Sequence, residues 1–174
     1  MNQQKQKDFS GVQGFLTLVS KDTSTGEVVQ YMSEKNIVTN SGVSKLVDNL
    51  TGAGNASLNR FVFGDDVGNG TELVPEVAKE GYDSSRQSEL FVIPPSDIAI
   101  STTGGNTLLA ETTISGSDLL TNFFPSSISL NLTSATFRFS DDTTFSYKRF
   151  SAMVVSRMVD IVVEWEIQFS NDCN

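Results

Sequence analysis

The stretch that most constrains this chain is MVDIVVEWEIQF, residues 158–169. Val159, Ile161, Val163, Trp165, Ile167 and Phe169 fall on one side of an extended backbone. Met158, Asp160, Val162, Glu164, Glu166 and Gln168 fall on the other. Successive side chains of a strand point to opposite faces, so six apolar positions at period two define a long strand with one buried side. Trp165 lies in the apolar row and is assigned to the core. A strand of this kind needs a second layer over its apolar face, which the other segments have to supply.

Those segments are short and rich in β-branched and aromatic residues. FLTLV (15–19), VVQYM (28–32), NIVT (36–39), LNRFVFG (58–64), ELFVI (89–93), IAIST (98–102) and LLAETTI (108–114) read as strands. SISLNL (127–132), ATFRF (135–139) and TFSYKRF (144–150) continue the pattern. KDTSTGE (21–27) predicts a hairpin turn with Gly26 at positive φ, and SDDT (140–143) a second turn. One helix is expected, over about residues 42–51. There Val43, Leu46, Val47 and Leu50 recur at i, i+3, i+4 and i+7 as a single buried stripe. Asn40 or Ser41 would cap its start, and Gly52 would close it. The expected fold is mainly β: an antiparallel, jelly-roll-like β-sandwich with one short α-helix. A flexible arm is expected over residues 1–10, a single β-sandwich domain over 11–170 and a C-terminal tail over 171–174.

The composition excludes much chemistry. The 174 residues include no histidine, and the sole cysteine is Cys173. A Ser-His-Asp or Cys-His relay, a His/Cys zinc site and an internal disulfide are therefore out of reach. A net charge of −9 opposes binding to nucleic-acid phosphates and to anionic membranes. MNQQKQKDFSG has no apolar h-region, so no signal peptide is expected. No apolar run reaches the roughly 18 residues that a membrane-spanning helix requires. No cofactor is expected.

Three groups of side chains were candidates for chemistry. FVFGDDVGNG (61–70) crowds acidic oxygens beside glycines, and a cation site there would use Asp65, Asp66 and Asn69. It departs from an EF-hand: Asp65 and Asp66 are adjacent, and Val67 stands where a ligand belongs. No Gly-Lys-Ser/Thr follows, so it is no phosphate-binding loop either. The expected role is the turn that ends strand 58–64, opening a long polar loop that meets a cation, a glycan or a neighbouring subunit. Glu164 and Glu166 share the outer face of the last strand with Asp160, roughly 6–7 Å apart at two residues' spacing. A carboxylate hydrolase would use them as a pair, but such a site needs an aromatic-lined groove. The plainer role is a charged, solvated strand face. Lys148, Arg149 and Arg157 are the basic concentration near the C-terminus, suited to an acidic partner surface or to offsetting nearby acids.

Three motifs occur in order: KNIVTNSGVSKLVDNLTG, then LNRFVFGDD, then TTFSYKRFSAMVVSRMVDIVVEWEIQFS. This order resembles small β-rich structural proteins of tailed bacteriophages, described as capsid decoration, baseplate or tail-fibre-associated proteins. In that group a strand often ends in Phe-Gly-Thr-Gly; here Gly64-Asp65-Asp66 stands in its place. The resemblance covers most of residues 10–170. It implies a non-enzymatic virion component assembled in the host cytoplasm, with no catalytic residues to assign. It further implies a homotrimer or other symmetric homo-oligomer that binds the major capsid protein or tail and baseplate proteins. A capsid decoration or cement protein is the first expectation, and a tail, baseplate or fibre-attachment subunit the alternative. A carbohydrate-binding jelly roll, with calcium at Asp65, Asp66 and Asn69, is the more distant one.

Overall fold

In the computed structural model, which describes residues 11–65 and 88–170, the alternating C-terminal segment forms strand β9 (Val159–Phe169). It runs antiparallel between β1 (Val12–Asp22) and β6 (Thr107–Ser115). Ile161, Val163, Trp165 and Ile167 are fully buried, as the period-two pattern requires. The other strands are β2 (Val28–Val38), β3 (Leu58–Asp65), β4 (Ser88–Ile93), β5 (Ala99–Thr103), β7 (Ser129–Phe139) and β8 (Thr144–Ser156). Their order across the sheet is β4-β3-β7-β8-β2-β1-β9-β6-β5, with every neighbour antiparallel.

The sheet curls so that one half covers the other, giving a mainly β, sandwich-like fold. The curl is concentrated between β2 and β8, which pair only at Ile37↔Tyr147 and Val38↔Ser146. Beyond that point the strands diverge, and side chains bridge them. The Gln30 amide accepts from the Val154 N–H at 2.9 Å and donates to the Ala152 carbonyl at 3.5 Å, standing in for a peptide group. Lys148 Nζ lies 2.5 Å from Glu34. Sequence reasoning divided two continuous strands: 28–32 and 36–39 belong to β2 except for Thr39, and 127–132 and 135–139 largely to β7. A register shift between Leu132 and Ser134 explains the second division, because it interrupts the alternation without ending the strand.

An aromatic cluster joins the two halves. Trp165 of β9 stacks on Phe61 of β3 at 5.6 Å and meets Phe137 of β7 at 5.7 Å. Phe61 and Phe137 contact each other edge-on at 4.8 Å. The Trp165 indole also needs a hydrogen-bond acceptor inside the core. With its amide oriented to suit its neighbours, Asn36 Oδ1 accepts from Trp165 Nε1 at 2.6 Å and from the Phe15 N–H at 3.3 Å. Gly14 makes room for this: a Cβ there would come within 2.0 Å of the Asn36 amide.

Two helices are present among the described residues, not one. Helix α1 (Asn40–Thr51) begins two residues before the expected start and is capped by Thr39 rather than Asn40 or Ser41. The Thr39 hydroxyl accepts from the Gly42 N–H at 2.9 Å and donates to the Thr144 carbonyl at 2.6 Å, tying the helix to β8. Gly52 closes it in the left-handed conformation, as expected. The expected buried stripe is only half realised. Val43 and Leu46 are partly covered, whereas Val47 is 47% and Leu50 79% exposed. The helix docks through its first turn, where a Cβ on Gly42 would lie 2.5 Å from Phe145 Cα, and its far end runs clear of the sheet. Helix α2 (Gly116–Asn122), capped by Ser115, was not anticipated. At 7 residues it spans about two turns, too few to display a helical period.

The β1–β2 turn follows its sequence signature. Gly26 has φ +72°, and the Asp22 carboxylate accepts from the N–H groups of Ser24 at 2.8 Å and Thr25 at 2.9 Å. The Ser24 hydroxyl adds a bond of 2.6 Å. These bonds, the Ser24 hydroxyl first, lower the Asp22 pKa from 3.8 to about 2. A depressed carboxyl pKa stabilises the folded turn above the ordinary value and loses that contribution as pH falls from 3.8 towards 2. An NMR titration is expected to show the Asp22 carboxyl still ionised at pH 3, and Ser24→Ala to move its midpoint upward.

Candidate functional surface

Among the described residues, the three sequence-derived groups of site residues lie apart from one another on the fold. Asp65 ends β3 and accepts a 3.1 Å hydrogen bond from the Thr133 hydroxyl of β7, so its carboxylate ties two strands together. Asp66, Asn69 and most of the 65–88 loop lie outside the described residues, as does Cys173. Among the described residues, no group of three or more acidic, cysteine or histidine side chains is close enough to hold a metal ion.

Asp160, Glu164 and Glu166 lie on the outer face of β9, as the alternation predicted. Glu164 stands between Thr17 of β1 and Glu111 of β6; Glu166 stands between Phe15 and Leu109. Asp160 stands between Lys21 and Ser115. Glu111 opposite Glu164 is a like-charge pair, mildly destabilising on a sheet and kept in solvent here. Glu166 accepts from the Gln168 amide at 2.5 Å. An open cleft of about 460 Å³ lies between the Pro95–Asp97 turn and this outer face, bordered by Asp97, Ala99, Glu111, Thr113 and Val162. Its two carboxylates make it acidic, and among the described residues no aromatic ring, the platform of a paired-carboxylate sugar site, borders it.

The basic residues are dispersed. Lys148 and Arg149 are neighbours on β8 and so point to opposite faces; Lys148 is committed to Glu34. Arg157 lies at the far end of β8, where its guanidinium donates to the Thr121 hydroxyl at 2.6 Å. A buried basic group, Arg138, was not singled out from sequence. It is 5% exposed and paired with Glu89 at 2.6 Å, and its burial follows from its place on β7 between β3 and β8.

A different feature dominates one end of the fold. The β8–β9 turn gathers residues from four segments. The Thr23 N–H donates to the Met158 carbonyl at 3.0 Å, and Ser129 pairs with Ser156. Gly116 sits against the carbonyls of Ser156 and Val159, with Arg157 bonded to α2 through Thr121. Around this turn five large apolar side chains are open to solvent: Val28 57%, Phe123 68%, Ile128 89%, Val154 41% and Met158 57%. These are five of the eleven large apolar side chains exposed among the described residues, and all five lie on segments that lead into or flank this turn. SISLNL (127–132) reads as one strand from Ser127, but Ile128 precedes the first residue of β7 and is 89% exposed. Comparison with family models, curated proteins and solved structures gives no match to this chain.

Proposed function

We propose that this chain is a non-enzymatic structural protein of a bacteriophage virion, acting by binding other virion proteins. The observation that supports this reading is the exposure of Val28, Phe123, Ile128, Val154 and Met158 on the segments around the β8–β9 turn of a molecule whose net charge is −9. A rigid antiparallel scaffold filled with aromatic side chains suits a module that is added to a particle and stays there. The favoured position is the capsid surface, as a decoration or cement protein in a symmetric homo-oligomer. The tail, baseplate or fibre attachment is the alternative position, with the same surface as the contact.

Burial of these side chains against a partner would contribute affinity in proportion to the apolar area removed from water. The test is co-sedimentation of the purified chain with separated capsid and tail preparations of the phage that encodes it. Retention on capsids is expected. Ile128→Asp and Met158→Asp, both at exposed positions, are expected to weaken it by about tenfold or more while leaving thermal unfolding unchanged. Retention on tails alone moves the chain to the alternative position. Absence of binding to either preparation, or full binding by both variants, rejects the reading.

A further inference from the structure

The two edges of the sheet are built differently. β4, at one edge, has a register shift opposite Phe63 and Gly64, and its Glu89 carboxylate is paired with Arg138. A bulge and a charge are two of the ways in which sheets keep an edge from pairing. β5, at the other edge, has neither. Its residues AISTT pair in unbroken register with β6, from Ala99↔Glu111 to Thr103↔Thr107, and all are exposed. No charge and no proline falls within it. Alternate residues direct their N–H and C=O groups away from β6, and among the described residues no strand takes them up.

We propose that β5 is a self-pairing edge: two copies of this chain join their β5 strands antiparallel about a two-fold axis at Ser101, continuing one sheet through the dimer. The register is self-complementary. Ser101 lies opposite its own counterpart, Ile100 opposite Thr102, and Ala99 opposite Thr103. Glu111 lies behind Ala99 on β6, and Asp97, the carboxylate nearest in sequence, lies in the Pro95–Asp97 turn before the strand, so neither is placed in the paired register. This matters for a chain of net charge −9, whose copies repel each other over most of their surface. The two Ile100 side chains, each 46% exposed in the single chain, become diagonal neighbours at about 7–8 Å on one face. The pairing is independent of the virion reading, which concerns the opposite feature of the fold, the β8–β9 turn.

Sedimentation velocity over a dilution series of the full chain tests it, reaching high concentration because so short a strand contact buries little surface. A monomer–dimer equilibrium is expected. Ser101→Lys and Ser101→Glu each set like charges face to face at the axis and raise the dimer dissociation constant by about tenfold or more. Mixed in equal amounts, the two variants are expected to recover dimers, because lysine then faces glutamate. Circular dichroism melting confirms that both variants stay folded. A wild-type chain that remains monomeric throughout, a threefold assembly, or a dimer that neither variant weakens overturns the proposal. A mixture that fails to recover overturns the two-fold register at Ser101.

Discussion

Replacing Trp165 by alanine is expected to cost about 4 kcal/mol of unfolding free energy, the largest effect of any single substitution in this core. Trp165 is fully buried and carries the contact between the two halves of the sheet, through Phe61 and Phe137. Its removal leaves a cavity that strand backbones on both sides cannot close. It also takes away the Nε1–H that the Asn36 oxygen accepts. Against a typical total of about 5–15 kcal/mol, such a loss leaves the chain marginal. For a chain of this size it corresponds to a fall in melting temperature of about 8–16 °C. Trp165→Phe separates the two contributions, since it keeps an aromatic ring against Phe61 and loses only the hydrogen bond and the second ring. About 1–2 kcal/mol is expected there, part of it from the Asn36 oxygen left without the indole donor. Equal melting temperatures for Trp165→Ala and the wild type would contradict the packing described.

Gly116→Ala is expected to cost about 3 kcal/mol, although it adds one methyl group. A Cβ at this position would lie 2.1 Å from the Ser156 carbonyl oxygen and 2.2 Å from that of Val159. Both are backbone atoms on either side of the β8–β9 turn, so no side-chain rotation relieves the contact. Either α2 lifts from the turn or the turn itself shifts. Hydrogen exchange is expected to rise in residues 116–122 and 156–159 before it rises in the central strands. Gly52→Ala serves as the comparison. Its φ of +75° strains alanine, but a Cβ there meets nothing within 4 Å, so a cost of only about 1 kcal/mol is expected.

The electrostatic features have smaller consequences. Lys45–Asp141 and Arg60–Asp142 pin the β7–β8 turn from α1 and β3, and both pairs are open to solvent. The Lys45 ammonium, followed by the Thr143 hydrogen bonds, lowers the Asp141 pKa from 3.8 to about 2. Its contribution to folding is present above the ordinary carboxyl range and fades as pH falls towards 2, in the same window as that of Asp22. Pairs as exposed as these are screened by salt and contribute little alone.

Sequence by itself determined the features that neighbouring residues encode. The alternation in 158–169 located β9, assigned Trp165 to the core and placed Glu164 and Glu166 outside, because a strand's period is a property of its own backbone. Gly26 and Gly52 announced positive φ for the same local reason. Tertiary structure decided what depends on distant partners. Leu50 sits at a helical apolar position yet is 79% exposed, because α1 packs through its first turn and Leu46 while its last turn is left uncovered. β7 remains one strand across the shift at Leu132–Ser134 because β8 absorbs the extra residues. Asn36 is buried because an indole from a strand more than a hundred residues later needs an acceptor. Val28, Phe123, Ile128, Val154 and Met158 each look unremarkable within their own segments, and only the fold leaves them uncovered. Burial is a sum over the whole fold, and no window of sequence contains it.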